Sequence, residues 1–245
     1  MSETIVIKIG GIASQSLTPE ILEQLQSWHK MGHKLLIVHG GGIAISQILE
    51  EHGHASQKCD GLRVTNQEDL PLVAEALLNR IGQNLAHELT AAGLDVSQVS
   101  LEDLKTVSAD FLNKEKYGYV GQVTSLDKSY YDKLLSADKL PLLASLAYTD
   151  DGQLLNVNAD YLAKALAISL QADQLILMTD VKGVLEDGQV LVQLLTKEIP
   201  AKIEAGIITG GMIPKLESAA ETVAAGVGQV LIGDNLTTGT VISEV

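Results

Sequence analysis

Strand-like and helix-like patterns alternate along the whole of this 245-residue chain. That alternation restricts it to an α/β fold on a mainly parallel sheet. Thr4 to Ile9 (TIVIKI) reads as a strand. Thr18-Pro19 supplies an N-cap and a first-turn proline, and Ile21, Leu22, Leu25 and Trp28 follow at helical spacing. Lys34 to Val38 reads as a second strand, ahead of a glycine turn and a helix from about Ile43 to Glu51. A long amphipathic helix is expected from Asn66 to about Ala92, stopped by Gly93. Tyr117 to Leu126 reads as a hairpin and Leu140 to Ala147 as one apolar strand. Asp150-Asp151-Gly152 is turn chemistry, and Leu154-Leu155 resumes an extended stretch. A helix from near Ala159 to near Gln171 precedes a buried strand over Gln174 to Thr179. Helices over about Thr196 to Ala205 and Pro214 to Ala225, with closing strands over Gln229 to Ile232 and Thr240 to Ser243, complete the pattern. No repeat, low-complexity tract or Pro/Ser-rich linker interrupts it, so any two lobes share an interface near Ala172.

Hydrophobic residues make up 46%, enough for a sizeable core. No apolar run is long enough to span a bilayer, and no basic-then-apolar opening marks a secretory signal. Cys59 is the single cysteine, which excludes an internal disulfide and points to the reducing cytoplasm. With 17 basic and 31 acidic side chains the net charge is −14, so neither nucleic acid nor an anionic membrane is an expected partner. The same field repels small anions. A site for one must therefore be a local positive island, and each cation beside a glycine turn gains weight. Arg63 and Arg80 are the only arginines.

Three glycine clusters each follow what reads as an apolar strand: Lys8-Ile9-Gly10-Gly11, His39-Gly40-Gly41-Gly42 and Thr209-Gly210-Gly211-Met212. Glycine lets backbone N–H groups approach an anion, and a helix N-terminus behind the turn adds positive potential. One cluster alone is equally a tight strand–helix turn; three, two of them with a lysine in or near them, favour phosphate binding. The chain has no G-x-x-x-x-G-K-[ST] loop, no G-x-G-x-x-G after a strand and no H-E-x-x-H. No metal cage built by the protein is expected; Mg²⁺ would arrive on nucleotide phosphates.

Arg63, in Gly61-Leu62-Arg63-Val64-Thr65, suits either a bidentate carboxylate contact or an exposed salt bridge. Asn156, Asn158 and Asp160 alternate and would face one side of an extended chain; Asn158 also suits an N-cap. Thr179-Asp180-Val181-Lys182-Gly183 ends a strand, where open α/β sheets bind ligands. Lys215 follows Pro214 near a helix N-terminus, an unfavourable place for a cation unless an anion sits there.

The ordered set KIGG, VHGGG, GLRVT, NVNAD, TDVKGV and GGMIPK resembles the N-acetylglutamate kinases of the amino acid kinase family, over Ile7 to about Gly239. The resemblance implies a three-layer sandwich with a mainly parallel central sheet of about eight strands. It also implies an N-terminal lobe (1–172) for the amino acid and dimerisation, and a C-terminal lobe (173–245) for ATP. Lys8 and Lys215 match the lysines that neutralise the transferring phosphoryl group, and Asp160 the aspartate that holds them. Gly10, Gly11, Gly41 and Gly42 match backbone donors to the phosphates, with Gly41 and Gly42 on the substrate side beside Arg63, Asn156 and Asn158. Arg63 and Asn156 match the groups on the substrate's α-carboxylate. Thr179, Asp180, Gly183, Gly210, Gly211 and Met212 fall where the nucleotide lies. Cys59-Asp60 and Tyr119 depart from the pattern.

The implied reaction moves the γ-phosphoryl group of ATP, carrying Mg²⁺, onto the side-chain carboxylate of N-acetyl-L-glutamate in arginine biosynthesis. Acetyl-aminoadipate kinases are the nearest confusable relatives, and a non-catalytic sensor on the same fold is the competing class. A nucleophile with a pKa of about 4.3 is already ionised at pH 7, so no general base is required. Arginine-inhibited relatives carry an extra N-terminal helix, whereas here only three residues precede the first strand and the segment Gly233 to Gly239 is short. A homodimer insensitive to arginine is therefore expected, with an apolar face of the 66–92 helix as its interface.

Overall fold

The computed structural model describes residues 2–244. Its central sheet has eight strands in the order Gln193–Leu195, Thr240–Ser243, Gln229–Gly233, Gln174–Met178, Thr4–Ile9, Lys34–His39, Leu140–Ala144, Val96–Gln98. Every neighbouring pair is parallel except Gln229–Gly233 with Thr240–Ser243. Helices cover both faces, which is why Ile5, Val6, Ile7 and Ile9 are all buried although they alternate in direction. The helices Lys128–Ser136, Ala159–Leu170 and Met212–Ala224 lie side by side in one layer. Pro19–Lys30, Gly42–Glu51 and the helical run from Leu70 to Ala91 form the other. The expected three-layer α/β architecture is therefore present.

Local chemistry sets several boundaries as the sequence indicates. Thr18 Oγ1 accepts from Ile21 N at 3.4 Å with Pro19 in the first turn. Gly93 adopts φ 83° just after the helix that ends at Ala91, the left-handed conformation that glycine reaches without a Cβ penalty.

Three expectations are corrected. The 66–92 helix is not one α-helix: a 3₁₀ turn (Gln67–Asp69) leads into α-helix (Leu70–Glu75), then a π segment (Ala76–Gly82), then α-helix again (Gln83–Ala91). Tyr117 to Leu126 is not a hairpin by itself. Tyr117 closes a helical turn (Lys114–Tyr117), and the strand Val120–Leu126 pairs antiparallel with Val107–Phe111, a short strand of alternating polarity that the sequence reading missed. The apolar run Leu140 to Ala147 breaks at Ser145. Leu140–Ala144 stays in the main sheet, whereas Leu146–Tyr148 joins Val107–Phe111, Val120–Leu126 and Leu154–Val157 in a small closed barrel. An unbroken apolar run carries no mark of such a change of sheet.

Thr4–Ile9 is central: the chain proceeds to Lys34–His39 on one side and later returns to Gln174–Met178 on the other. The carboxyl ends of these three strands, Ile9, His39 and Met178, therefore open on one crevice where the topology diverges, the usual ligand position in open α/β sheets.

Candidate active site

Lys8 lies near the carboxyl end of the central strand, its side chain 13% exposed. Its Nζ is 2.8 Å from Asp160 Oδ1 and donates to Met178 O at 3.2 Å. Lys215 Nζ donates to Asp160 Oδ2 at 2.9 Å. One carboxylate thus bridges two ammonium groups brought from positions 8 and 215. Asp160 sits in the first turn of Ala159–Leu170, where its charge complements the helix dipole. Burial pushes its pKa up, but the charges and hydrogen bonds of Lys8 and Lys215 outweigh burial and hold it below the usual carboxylate value. Its partner also explains Lys215: the cation occupies an early helical position because Asp160 faces it.

Glycines make room for this cluster. A Cβ at Gly10 would collide with Lys8 Nζ, and one at Gly11 (φ 60°) would collide with Asp180 Oδ1. Gly40 packs against the start of the helix Ala159–Leu170, its Cβ position 3.4 Å from Ala159 Cβ, which draws the Gly40–Gly42 turn to the lysine–aspartate cluster. Space beyond Gly42, Gly210 and Gly211 is open. The third glycine cluster does not follow a strand, contrary to its sequence reading. Ile207–Thr209 connect the helices Ile199–Glu204 and Met212–Ala224.

The expected one-sided row Asn156, Asn158, Asp160 is also corrected, because the strand ends at Val157 and the helix begins at Ala159. Asn158 is the N-cap, its Oδ1 accepting from Asp160 N at 2.8 Å and Tyr161 N at 3.2 Å. Asn156 is buried and donates Nδ2 to Thr65 Oγ1 at 3.0 Å, which ties the barrel to a point two residues past Arg63.

Arg63 stands in a short hairpin, Gln57–Cys59 with Leu62–Val64, and is only 9% exposed. Its Nη2 donates to Gly42 O at 2.7 Å and Ser46 Oγ at 2.9 Å, and its Nη1 to Ser56 Oγ. All three acceptors are uncharged, and among the described residues Arg63 makes no ion pair within 4 Å. Burial lowers its pKa, against the opposing influence of Asp69. Ser46 and Ser56 carried no signal in the sequence, since isolated serines are common on any surface.

At the carboxyl end of Gln174–Met178, Thr179 N donates to Gly233 O at 2.8 Å, tying the turn after Met178 to the neighbouring strand end. Gly183 (φ 143°) lets the 179–184 turn pack on the C-terminal strand: a Cβ there would lie 2.7 Å from Thr240 Oγ1, the atom that accepts from Val184 N. Gly183 and Met212 line an apolar cavity of about 400 Å³ with Val181, Val184, Ile207 and Ile208.

His39 is fully buried beside these turns, with Nδ1 3.3 Å from Gly40 O, and burial pushes its pKa down to about 4. Burial therefore keeps this imidazole neutral near pH 7. His54, Glu68 and Asp69 also converge, with ligand atoms within 4.8 Å of one another. Asp69 is already committed there to His54 Nδ1 and Asn66 N.

Residues 3–234 match the pattern of the amino acid kinase family. The chain belongs to that family. It is 54% identical over 244 residues to the acetylglutamate kinase of Streptococcus sanguinis strain SK36, covering 100% of both chains. It is 45% identical over 242 residues to the acetylglutamate kinase of Staphylococcus epidermidis, covering 99% of both. A solved protein of Streptococcus mutans UA159 superimposes with a TM-score of 0.92 at 52% identity over the whole of both chains. Carbamate kinase from Giardia lamblia shares the fold alone, with a TM-score of 0.73 at 16% identity over 100% of this chain and 99% of that one.

Proposed function

We propose that this amino acid kinase moves the γ-phosphoryl group of ATP onto the side-chain carboxylate of N-acetyl-L-glutamate, a step of arginine biosynthesis. The observation that carries the reading is the Lys8–Asp160–Lys215 bridge at the crevice of the sheet; the full-length relatives supply the substrate. The acceptor carboxylate is already ionised, so the obstacle is repulsion from the polyphosphate rather than proton removal. Asp160 holds two ammonium groups where negative charge develops, and they need not reorganise during the reaction. A P–O bond to the acceptor oxygen forms as the bond to the β-phosphate oxygen breaks, giving an acyl phosphate and ADP. Arg63, buried among uncharged acceptors, has the geometry and charge to take the α-carboxylate, and Asn156 lies beside it through Thr65. Gly10, Gly11, Gly41 and Gly42 offer backbone N–H groups. Thr179, Asp180, Gly183, Gly210, Gly211 and Met212 border the nucleotide, with the apolar cavity at Gly183 and Met212 suited to its base. Both Asp160 oxygens are engaged by lysines, so the donor set fits Mg²⁺ held by the phosphates, where it screens their charge.

On this reading residues 1–172 carry the amino acid and 173–245 most of the nucleotide site, in the cytoplasm. The protein is a homodimer through the outer face of the helical run. Leu70, Pro71, Ala74 and Leu78 line an open groove there with Leu101 and Tyr148. Purified protein with MgATP and N-acetyl-L-glutamate is expected to yield a hydroxamate when trapped with hydroxylamine. Folded protein giving none above a no-substrate control overturns the assignment.

A further inference from the structure

Val73, Leu77, Ile81, Leu85 and Leu89 recur every four residues, and all five are buried. An α-helix turns about 100° per residue, so a four-residue repeat drifts about 40° per step and about 160° over this run. A regular helix would carry the last of these leucines off the buried face. The π segment Ala76–Gly82 takes that drift back, because its turn holds more residues.

A π turn disturbs the regular carbonyl pairing, and here a side chain from another element meets one of those carbonyls. Gln98, on the sheet-edge strand Val96–Gln98, donates Nε2 to Leu78 O at 2.8 Å. Gly82 makes the approach possible: a Cβ there would lie 2.5 Å from Gln98 Nε2 and 3.0 Å from Leu77 O. Gly82 has ordinary helical angles (φ −60°), so it is needed for space rather than for conformation. The inner face of the same segment presses on the glycine turn. A Cβ at Gly41 would lie 2.8 Å from Leu77 Cδ2 and 3.4 Å from Ile81 Cγ1. Gly41 is the N-cap of Gly42–Glu51, and Gly42 O is in turn bonded to Arg63.

We propose that Gln98 is a positioning residue for the acylamino acid, acting through the π segment and Leu77 on the Gly41–Gly42 turn. This rests on the assignment of that turn to the substrate. Gln98 is expected to influence binding of the amino acid and not of ATP, because the nucleotide elements lie across the sheet from it.

Gln98→Leu keeps the volume and removes the donor, and Gly82→Ala obstructs it. Each should raise KM for N-acetyl-L-glutamate by about tenfold while KM for ATP and kcat stay within about threefold. The double variant should be no worse than the poorer single one, since both act on one contact. A folded Gln98→Leu with both KM values unchanged, or both raised alike, overturns the proposal. Hydrogen exchange of the 40–45 segment needs no substrate and so separates this inference from the kinase assignment. It should be faster in Gln98→Leu than in the parent, and equal rates overturn the proposal even if the parent phosphorylates another acid. If Gln98→Leu does not fold, Gln98→Glu, which retains the shape and replaces the donor with an acceptor, carries the same measurements.

Discussion

Two positive centres border the glycine turns, and they are built on opposite principles. Lys8 and Lys215 share the Asp160 carboxylate, so their charges are partly balanced before any ligand arrives. Arg63 is also largely withdrawn from water but donates to two serine hydroxyls and a carbonyl oxygen. A buried charge whose carboxylate neighbour, Asp69, makes no direct ion pair with it is costly to fold and gains most from an anionic ligand. The first arrangement suits a cluster that must hold its geometry while charge moves through it. The second suits a group whose missing partner is the substrate itself. His39 follows a third course, burial in the uncharged state.

The comparison is broken most readily at the paired centre. Lys8→Ala, Lys215→Ala and Asp160→Ala are each expected to lower kcat by about 10²–10³-fold, with smaller changes in KM, because they remove or misplace charge that acts on the transition state. Steady-state kinetics on both substrates checks this. Equal loss through KM alone would make the pair a binding device, the role proposed for Arg63.

The next effect belongs to His39. Its pKa falls from 6.5 to about 4 on folding, so between those values the unfolded chain binds more protons than the folded one. Stability therefore declines as pH drops through this window, by about 3 kcal/mol in all, and is unaffected by this group above it. Denaturant titrations of the parent and of His39→Gln from pH 7 to pH 4 should show the slope in the parent and a flatter profile in the variant.

The smallest effect sharpens the account of Arg63. Arg63→Met should raise KM for N-acetyl-L-glutamate by about 10–100-fold and leave KM for ATP nearly constant. Without ligand the same variant should be as stable as the parent or more so, by about 1 kcal/mol, since it removes a charge whose burial outweighs the influence of Asp69. Lys8→Met, which leaves Asp160 with one cation in place of two, should be destabilised. Thermal melts with and without the acid measure both. Loss of stability in ligand-free Arg63→Met would mean that its bonds to Ser46, Ser56 and Gly42 outweigh its burial.

Much of the frame was readable before folding. Thr4–Ile9, Lys34–His39, Gln174–Met178 and Gln229–Gly233 are short apolar runs, and Thr18 and Asn158 cap their helices through bonds to residues two or three positions away. The family motifs also named Lys8, Asp160, Lys215 and Arg63. The small barrel was missed: Val107–Phe111 shows the alternation of a half-buried strand over only five residues, and Leu146–Tyr148 continues an apolar run. The π segment left a mark in the four-residue repeat of Val73 to Leu89, but a long amphipathic helix accounts for the same residues at first sight.

What the sequence by itself determined is therefore whatever depends on near neighbours: strand and helix positions, caps, and the glycines at which backbone must come close to something. The tertiary structure alone decided what came close. Asp160 meets lysines 152 and 55 residues away, Arg63 reaches from its hairpin to Gly42 and Ser46 of the helix Gly42–Glu51, and Gln98 reaches Leu78 through the gap at Gly82. Caps and turns are set by bonds within a few residues and leave a local signature. The burial of charge and the pairing of distant polar groups depend on which surfaces the packed layers bring together, and no local stretch of chain carries that information.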